Sequence, residues 1–107
     1  MTLAWRCKFV HIIVWGFEVR PGYEAEFERV YSTEGDWARL FQVHPAYRGT
    51  ELLHDVERRR HYATIDRWES RAAFDEFKRT NHAAYESLDA RCARLRVSER
   101  LLGRYEA

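Results

Sequence analysis

Residues 9–19 form a nearly continuous apolar run that is rich in β-branched and aromatic side chains. Such a run is typical of a β-strand that is buried on both faces. Alternate residues of a strand share a face. One face therefore carries His11, Ile13, Trp15, Phe17 and Val19, and the other carries Val10, Ile12, Val14, Gly16 and Glu18. A fold that contains this strand must cover the sheet on both sides.

Helical periodicity follows the turn at residues 20–22. One face of the first helix carries Tyr23, Phe27, Val30 and Tyr31. Gly35 interrupts this pattern, and Asp36 is placed to cap a second short helical piece that Pro45 ends. The two pieces together form the first predicted helical region.

Two strands are predicted next, over residues 47–56 and 61–68, and their closeness favours a hairpin. On the second of them one face carries Tyr62, Thr64, Asp66 and Trp68. Ser70 is placed to cap a long helix with an apolar stripe that runs to Leu95. Asn81 lies on that stripe where a core residue is expected, and residues 97–105 are predicted as a last strand, broken near Gly103.

The predicted order is strand, helix, strand, strand, helix, strand. We therefore predict an α+β fold of ferredoxin-like βαββαβ type, an antiparallel sheet with two helical regions on one face. Because the first strand is apolar on both faces, the other sheet face also needs cover. A second copy of the chain in a symmetric homodimer would supply it.

Composition narrows the possible classes of function. The 107 residues predict a single domain over 1–107, in which residues 1–8 are either a loose N-terminal extension or an ordered extension of the first strand. A net charge of +1 argues against nucleic-acid binding, and the apolar run at the N-terminus is too short and too polar to span a membrane. Cys7 and Cys92 have no metal-site spacing, and a disulfide between them is left open. Nothing indicates secretion, so we expect a cytoplasmic location.

Three segments of the sequence resemble those of a known protein family. They are residues 19–22 leading into Phe27, residues 46–52, and residues 62–70 leading into Phe74 and Phe77, followed by His82 and Tyr85. With these segments the chain resembles the antibiotic biosynthesis monooxygenase family over residues 9–106. The resemblance implies a homodimer with facing sheets, a dimeric α+β barrel, and one helix–sheet pocket per subunit.

The same family includes cofactor-independent monooxygenases that act on aromatic phenols, haem-degrading enzymes and quinone-related enzymes. The haem-degrading branch uses an Asn on the first strand and a Trp and a His on the second helix. In this chain Trp15 occupies the position of that Asn, and Phe77 occupies the position of that Trp. His82 is offset from the position of that His. The resemblance therefore disfavours haem, and we expect no cofactor.

Five aromatic residues are predicted between the sheet and the helices, where they either wall a substrate pocket or fill the core: Trp15, Trp37, Phe41, Phe77 and Tyr85. The candidate acid–base residues are His82, His11 and Asp66. Asp66 would be costly on a helix-facing surface without a partner, and an Arg from the chain terminus or from a second subunit is the expected one. No metal-binding spacing is present among the five His residues.

The leading functional hypothesis is a cofactor-independent monooxygenase that oxidises a small aromatic phenol or hydroquinone. The alternative from another class is a non-catalytic dimeric protein that binds a small ligand. A haem-degrading monooxygenase and an isomerase or cyclase are further enzymatic alternatives.

Overall fold

The computed structural model describes residues 10–107. The predicted extension at residues 1–8, with Cys7, lies outside this range. The strands are β1 (His11–Val19), β2 (Tyr47–His54), β3 (His61–Trp68) and β4 (Arg96–Glu106). The helices are α1 (Glu24–Tyr31), α2 (Asp36–Phe41), α3 (Arg71–Thr80) and α4 (His82–Cys92), and a 3-10 turn spans Ala93–Leu95.

The four strands form one antiparallel sheet in the order β2-β3-β1-β4. β1, the strand that the sequence predicts to be buried on both faces, pairs with both β3 and β4. Its buried residues alternate along the strand, and β3 alternates in the same way. The helices cover the face that these buried residues share, which confirms the α+β ferredoxin-like prediction. In the part of the chain that the structure describes, no helix is long and apolar enough to cross a membrane.

The long helix predicted after Ser70 is interrupted at Asn81. Ser70 does cap α3, because its Oγ accepts a hydrogen bond from the backbone N–H of Ala73 at 3.1 Å. At Asn81 the backbone leaves the helical region (φ −117°, ψ 28°). Its side-chain Nδ2 donates to the carbonyl oxygen of Phe77 at 3.1 Å. Asn side chains compete in this way for helical carbonyls, so the stripe belongs to two helices, α3 and α4.

An aromatic layer fills the space between the sheet and the helices. Trp68, the last residue of β3, is fully buried in this layer. The ring centroids of Phe77, Phe74 and Phe41 lie 5.1, 5.3 and 5.5 Å from the centroid of Trp68. Such tilted and edge-to-face contacts add to the hydrophobic stabilisation of a core. The aromatic surplus of the sequence is therefore used largely for packing.

The opposite face of the sheet carries apolar side chains that no other part of residues 10–107 covers. Leu53, Leu102 and Tyr105 expose 47%, 45% and 55% of their surface. Leu102 packs against Gly16 of β1, where an added Cβ would lie 3.1 Å from Leu102 Cδ1. The structure thus leaves the second face of β1 incompletely buried, as its sequence pattern predicts for a single chain.

Gly35 is the buried N-cap of α2, a position that the sequence analysis gave to Asp36. An added Cβ at Gly35 would lie 2.5 Å from the carbonyl oxygen of Arg29 and would also strike that of Val30. Backbone atoms cannot give way as a flexible side chain can. The absence of a Cβ therefore lets α2 fold back against the end of α1.

We predict that Gly35→Ala lowers the free energy of unfolding by about 2 kcal/mol or more, because the clash forces α2 away from α1. Chemical denaturation followed by circular dichroism measures this change. Thr33→Ala, in the same connection but exposed, is the control and should change the value by less than about 0.5 kcal/mol. Equal stability of the two variants would contradict this account of the α1–α2 turn.

Candidate active site

A small cavity lies between the helices and the sheet at the level of Trp15. Its volume is about 30 Å³, enough for one or two water molecules. The sheet contributes Trp15, Phe17, Thr50, Thr64, Asp66 and Glu99, and the helices contribute Tyr31, Trp37, Phe41 and Tyr85. Aromatic side chains form much of the cavity wall, and an aromatic ligand needs more space than this. Trp15 and Tyr85 are only partly buried, and their movement would enlarge it.

The local sequence explains why these aromatic residues meet. Trp37 and Phe41 are four residues apart on α2, so they lie on the same face of that short helix, with ring centroids 5.8 Å apart. The break at Asn81 starts α4 close to α2, and the Tyr85 ring meets the Trp37 ring edge-on at 5.0 Å. Two helix starts, at Gly35 and Asn81, therefore set the roof of the cavity.

Asp66 is the buried carboxyl group in the cavity wall, with 8% of its surface exposed. Its Oδ1 accepts a hydrogen bond from Thr50 Oγ1 at 2.7 Å. Thr50 Oγ1 lies 2.5 Å from the Tyr47 hydroxyl. Because the single hydroxyl proton of Thr50 goes to Asp66, Tyr47 donates to Thr50. Within residues 10–107 the Thr50 hydroxyl is the hydrogen-bond partner of Asp66, and an Arg from the chain terminus or from a second subunit stays a prediction.

The environment of Asp66 changes its acidity. Burial raises the pKa of the Asp66 carboxyl from 3.8 to about 6, and the hydrogen bond from Thr50 opposes that rise. Within residues 10–107, Oδ2 has no hydrogen-bond donor and is left for a molecule in the cavity. A carboxylate with a pKa near 6 is ionised at neutral pH, yet it holds a proton far better than an ordinary Asp.

Tyr85 is a phenol-bearing residue in the wall of the same cavity. Burial, followed by the carboxylates of Asp89, Glu99, Asp66 and Glu86, raises the pKa of Tyr85 to about 12. The phenol therefore stays protonated at neutral pH and remains a hydrogen-bond donor. The Lys78 ammonium group lies 4.6 Å from the centroid of the Tyr85 ring, within range of a cation–π contact.

Glu99 of β4 is a second carboxyl group in the cavity wall, and sequence reasoning missed it. The Arg96 guanidinium lies 3.1 Å from Glu99 Oε1 and also contacts Asp89 and the Tyr31 hydroxyl. Burial raises the pKa of the Glu99 carboxyl, and Arg96 opposes that effect. The mixed polar sequence of residues 96–100 contains no signal that would single out Glu99 before the β1–β4 register is known.

The other predicted site residues lie away from the cavity. Phe77 is fully buried behind it, against Trp68 and Phe41. His82 begins α4 with 71% of its side chain exposed, 3.6 Å from Glu86. His11 is buried at the far end of β1 beside Phe74, and burial together with Arg104 and Arg71 lowers its pKa. The structure thus brings Asp66 together with Trp15, Trp37, Phe41 and Tyr85.

The cavity around Asp66 has no arrangement of side chains from residues 10–107 that suits a metal ion or a haem. No cluster of three His, Cys, Asp or Glu side chains in that range could hold a metal ion. No His from that range lines the cavity, so no imidazole is placed to ligate a haem iron there. The residues that line this cavity therefore do not fit haem.

The comparisons with known proteins agree with this fold. The model of the family described as antibiotic biosynthesis monooxygenase matches residues 10–84, about seventy per cent of the chain. The protein belongs to this family, as the sequence resemblance implied. No curated protein matches the chain.

Solved structures of the same fold come from several bacteria. SnoaB, a cofactor-independent oxygenase from Streptomyces nogalater, is 23% identical with a TM-score of 0.69, over 92% of this chain and 93% of that one. A putative antibiotic biosynthesis monooxygenase from Nitrosomonas europaea is 12% identical with a TM-score of 0.73, over 94% and 91%. Another from Bordetella bronchiseptica is 16% identical with a TM-score of 0.66, over 94% and 98%. At these identities the likeness establishes the fold.

The raised pKa of Asp66 gives a stability prediction. The carboxyl group of Asp66 binds its proton more tightly in the folded protein than in the unfolded chain. The stabilisation of the fold by this protonation is therefore greatest below pH 3.8 and is lost as the pH rises through about 6. Asp66→Asn removes the buried charge and still accepts from Thr50. We expect it to raise the free energy of unfolding by up to about 3 kcal/mol at pH 8 and by less than about 1 kcal/mol at pH 4.

Urea denaturation at the two pH values measures this difference. Asp75→Asn, on the exposed side of α3, is the matched control and should change the stability by less than about 0.5 kcal/mol at both. A loss of stability in Asp66→Asn at pH 8 would contradict the burial of an ionised carboxylate.

Proposed function

We propose that this protein is a cofactor-independent monooxygenase that oxidises a small aromatic phenol or hydroquinone, with Asp66 as the base. The observation that carries the proposal is the buried Asp66 carboxyl group in a cavity walled largely by aromatic side chains, with no hydrogen-bond donor to Oδ2 among residues 10–107. Membership of a monooxygenase family supports it. So does the shared fold with SnoaB, which is described as a cofactor-independent oxygenase.

The reaction requires few functional groups from the protein. Asp66 takes the proton of the phenol, and the resulting electron-rich anion passes one electron to O₂. Superoxide and the substrate radical then combine at a ring carbon to form a peroxide. Cleavage of the O–O bond leaves one oxygen atom on the ring as a carbonyl group. The other leaves as water, which takes up the phenol proton and the hydrogen of that carbon.

The cavity provides groups for each of these steps. Asp66 Oδ2 accepts the first proton and returns it when water leaves. Tyr85 stays protonated and can donate a hydrogen bond to the oxygen anion that develops on the substrate. Trp15, Trp37 and Phe41 offer flat surfaces for stacking on an aromatic ring. Trp15 and Tyr85 move aside to admit the substrate in this proposal.

The test is oxygen consumption with a panel of naphthols and naphthohydroquinones. Asp66→Asn should lower kcat/KM by about 100-fold or more, as expected for loss of a general base. In the wild type, kcat/KM should rise with pH through about 6 as the carboxyl group loses its proton. Asp75→Asn should retain wild-type activity.

The outcome separates the two candidate classes of protein. Absence of oxygen uptake over the whole panel, with thermal stabilisation by the same compounds, would overturn the oxygenase and support a non-catalytic ligand-binding protein. Oxygen uptake that survives in Asp66→Asn would move the base to another residue. His11 and His82 stay candidates only in that case.

We also propose that the protein is a homodimer that pairs through its open sheet face. The apolar side chains of Leu53, Leu102 and Tyr105 on that face support this proposal. Exposed apolar surface of this kind is usual at interfaces between copies of a chain. A partner sheet would complete the burial of the second face of β1.

Leu102→Asp should weaken dimerisation by about 100-fold or more, because it places an unpaired carboxylate in the interface. Sedimentation equilibrium measures the change. Val56→Asp is the control, since Val56 is 97% exposed in the β2–β3 turn, and it should leave the dimer intact. A wild-type chain that stays monomeric at millimolar concentration would rule out the pairing.

A further inference from the structure

Two carboxylates from different strands face one cavity. Asp66 of β3 lies opposite Ile13 of β1, and Glu99 of β4 lies opposite Phe17 of the same strand. β1 runs between them, so their side chains approach the cavity from opposite sides of Trp15. A molecule in the cavity would therefore meet a carboxylate on either side.

Arg96 lies beside the cavity, but its positive charge is already engaged. Arg96 has only 11% of its side chain exposed, and its guanidinium contacts Asp89 at 3.2 Å and Glu99 at 3.1 Å. It also donates to the Tyr31 hydroxyl at 3.0 Å. Its single positive charge is thus shared between two carboxylates. Its role is to hold Glu99 in place.

Among residues 10–107, the cavity lining includes Asp66 and Glu99 and no Lys, Arg or His. Lys78 lies nearby, but it contacts the rings of Tyr85 and Phe74 and is not part of the lining. The rise in the pKa of Tyr85, to which four carboxylates contribute, agrees with a negative potential at this position. An added negative charge in the cavity would be repelled by both carboxylates, more strongly by the buried Asp66 than by Glu99, whose side chain is 29% exposed.

We propose that Glu99 is a specificity-determining residue: together with Asp66 it makes the cavity select uncharged or positively charged aromatic phenols and reject anionic ones. This inference rests on the proposed function, because it assumes that the substrate enters this cavity. The substrate class is then a neutral polyphenol or an aminophenol. Aryl carboxylates and sulfonates are excluded, and the phenol binds with its proton, which Asp66 removes only after binding.

The test compares three ligands with the same ring system: a naphthohydroquinone, its ring carboxylate and its aminomethyl derivative. Dissociation constants are measured without oxygen, from the quenching of tryptophan fluorescence, so that binding is separate from turnover. Wild-type protein should bind the neutral and the cationic ligand at least about tenfold more tightly than the carboxylate. Glu99→Gln should reduce this preference by about tenfold, while Arg96 keeps its contacts with Asp89 and Tyr31.

Glu106→Gln is the matched control. Glu106 lies on the same strand and pairs with His11 at the far end of β1, so its replacement should leave all three dissociation constants unchanged. Melting temperatures of the two variants check that neither has lost its fold. If the role of Glu99 is only structural, Glu99→Gln will weaken the binding of all three ligands equally, and that result would overturn the inference.

The two proposals fail in different ways. If the protein binds the ligands according to their charge but consumes no oxygen in air, the role of Glu99 stands and the oxygenase proposal is wrong. Oxygen uptake with equal binding of all three ligands would retain the oxygenase and overturn the role of Glu99. If none of the three ligands binds, both proposals are wrong.

Discussion

The burial of one carboxyl group inside an aromatic core is the constraint on which the site depends. Asp66 occupies a position of β3 whose neighbours on the same face, Thr64 and Trp68, are also buried. An ionised group there is tolerated because Tyr47 and Thr50 of β2 deliver a chain of two hydrogen bonds to it. Proteins accept such local costs where a functional group must be held in an unusual state.

Aromatic and polar side chains both lie between the sheet and the helices, so the cavity has a mixed aromatic and polar lining. Trp68, Phe74 and Phe77 fill the end of the layer near His11 and leave no room for a ligand. At the other end, Trp37 and Tyr85 meet only edge-on, and polar side chains of the sheet interrupt the packing. The Arg96 network then ties β4 to α1 and α4 at the rim. A small void beside a charged group is the result.

Much of the fold follows from the local sequence pattern. The two faces of β1, the buried face of β3 and the Ser70 cap were predictable, because each depends on residues that are neighbours in the chain. The break at Asn81 was less so, since the apolar stripe continues across it. An Asn on that stripe was the one local sign of the interruption.

The sequence by itself determined which segments are strands and which are helices. It also determined which aromatic residues lie between the helices and the sheet, and it indicated Asp66 as a candidate acid–base residue. The tertiary structure alone decided that Thr50 is the partner of Asp66, that Glu99 enters the same cavity, and that His11 and His82 lie away from it. The physical reason is that hydrophobic periodicity specifies which face of an element is buried. Which polar side chains meet depends on strand register and on helix placement, and both are set by contacts between residues that are far apart in the chain.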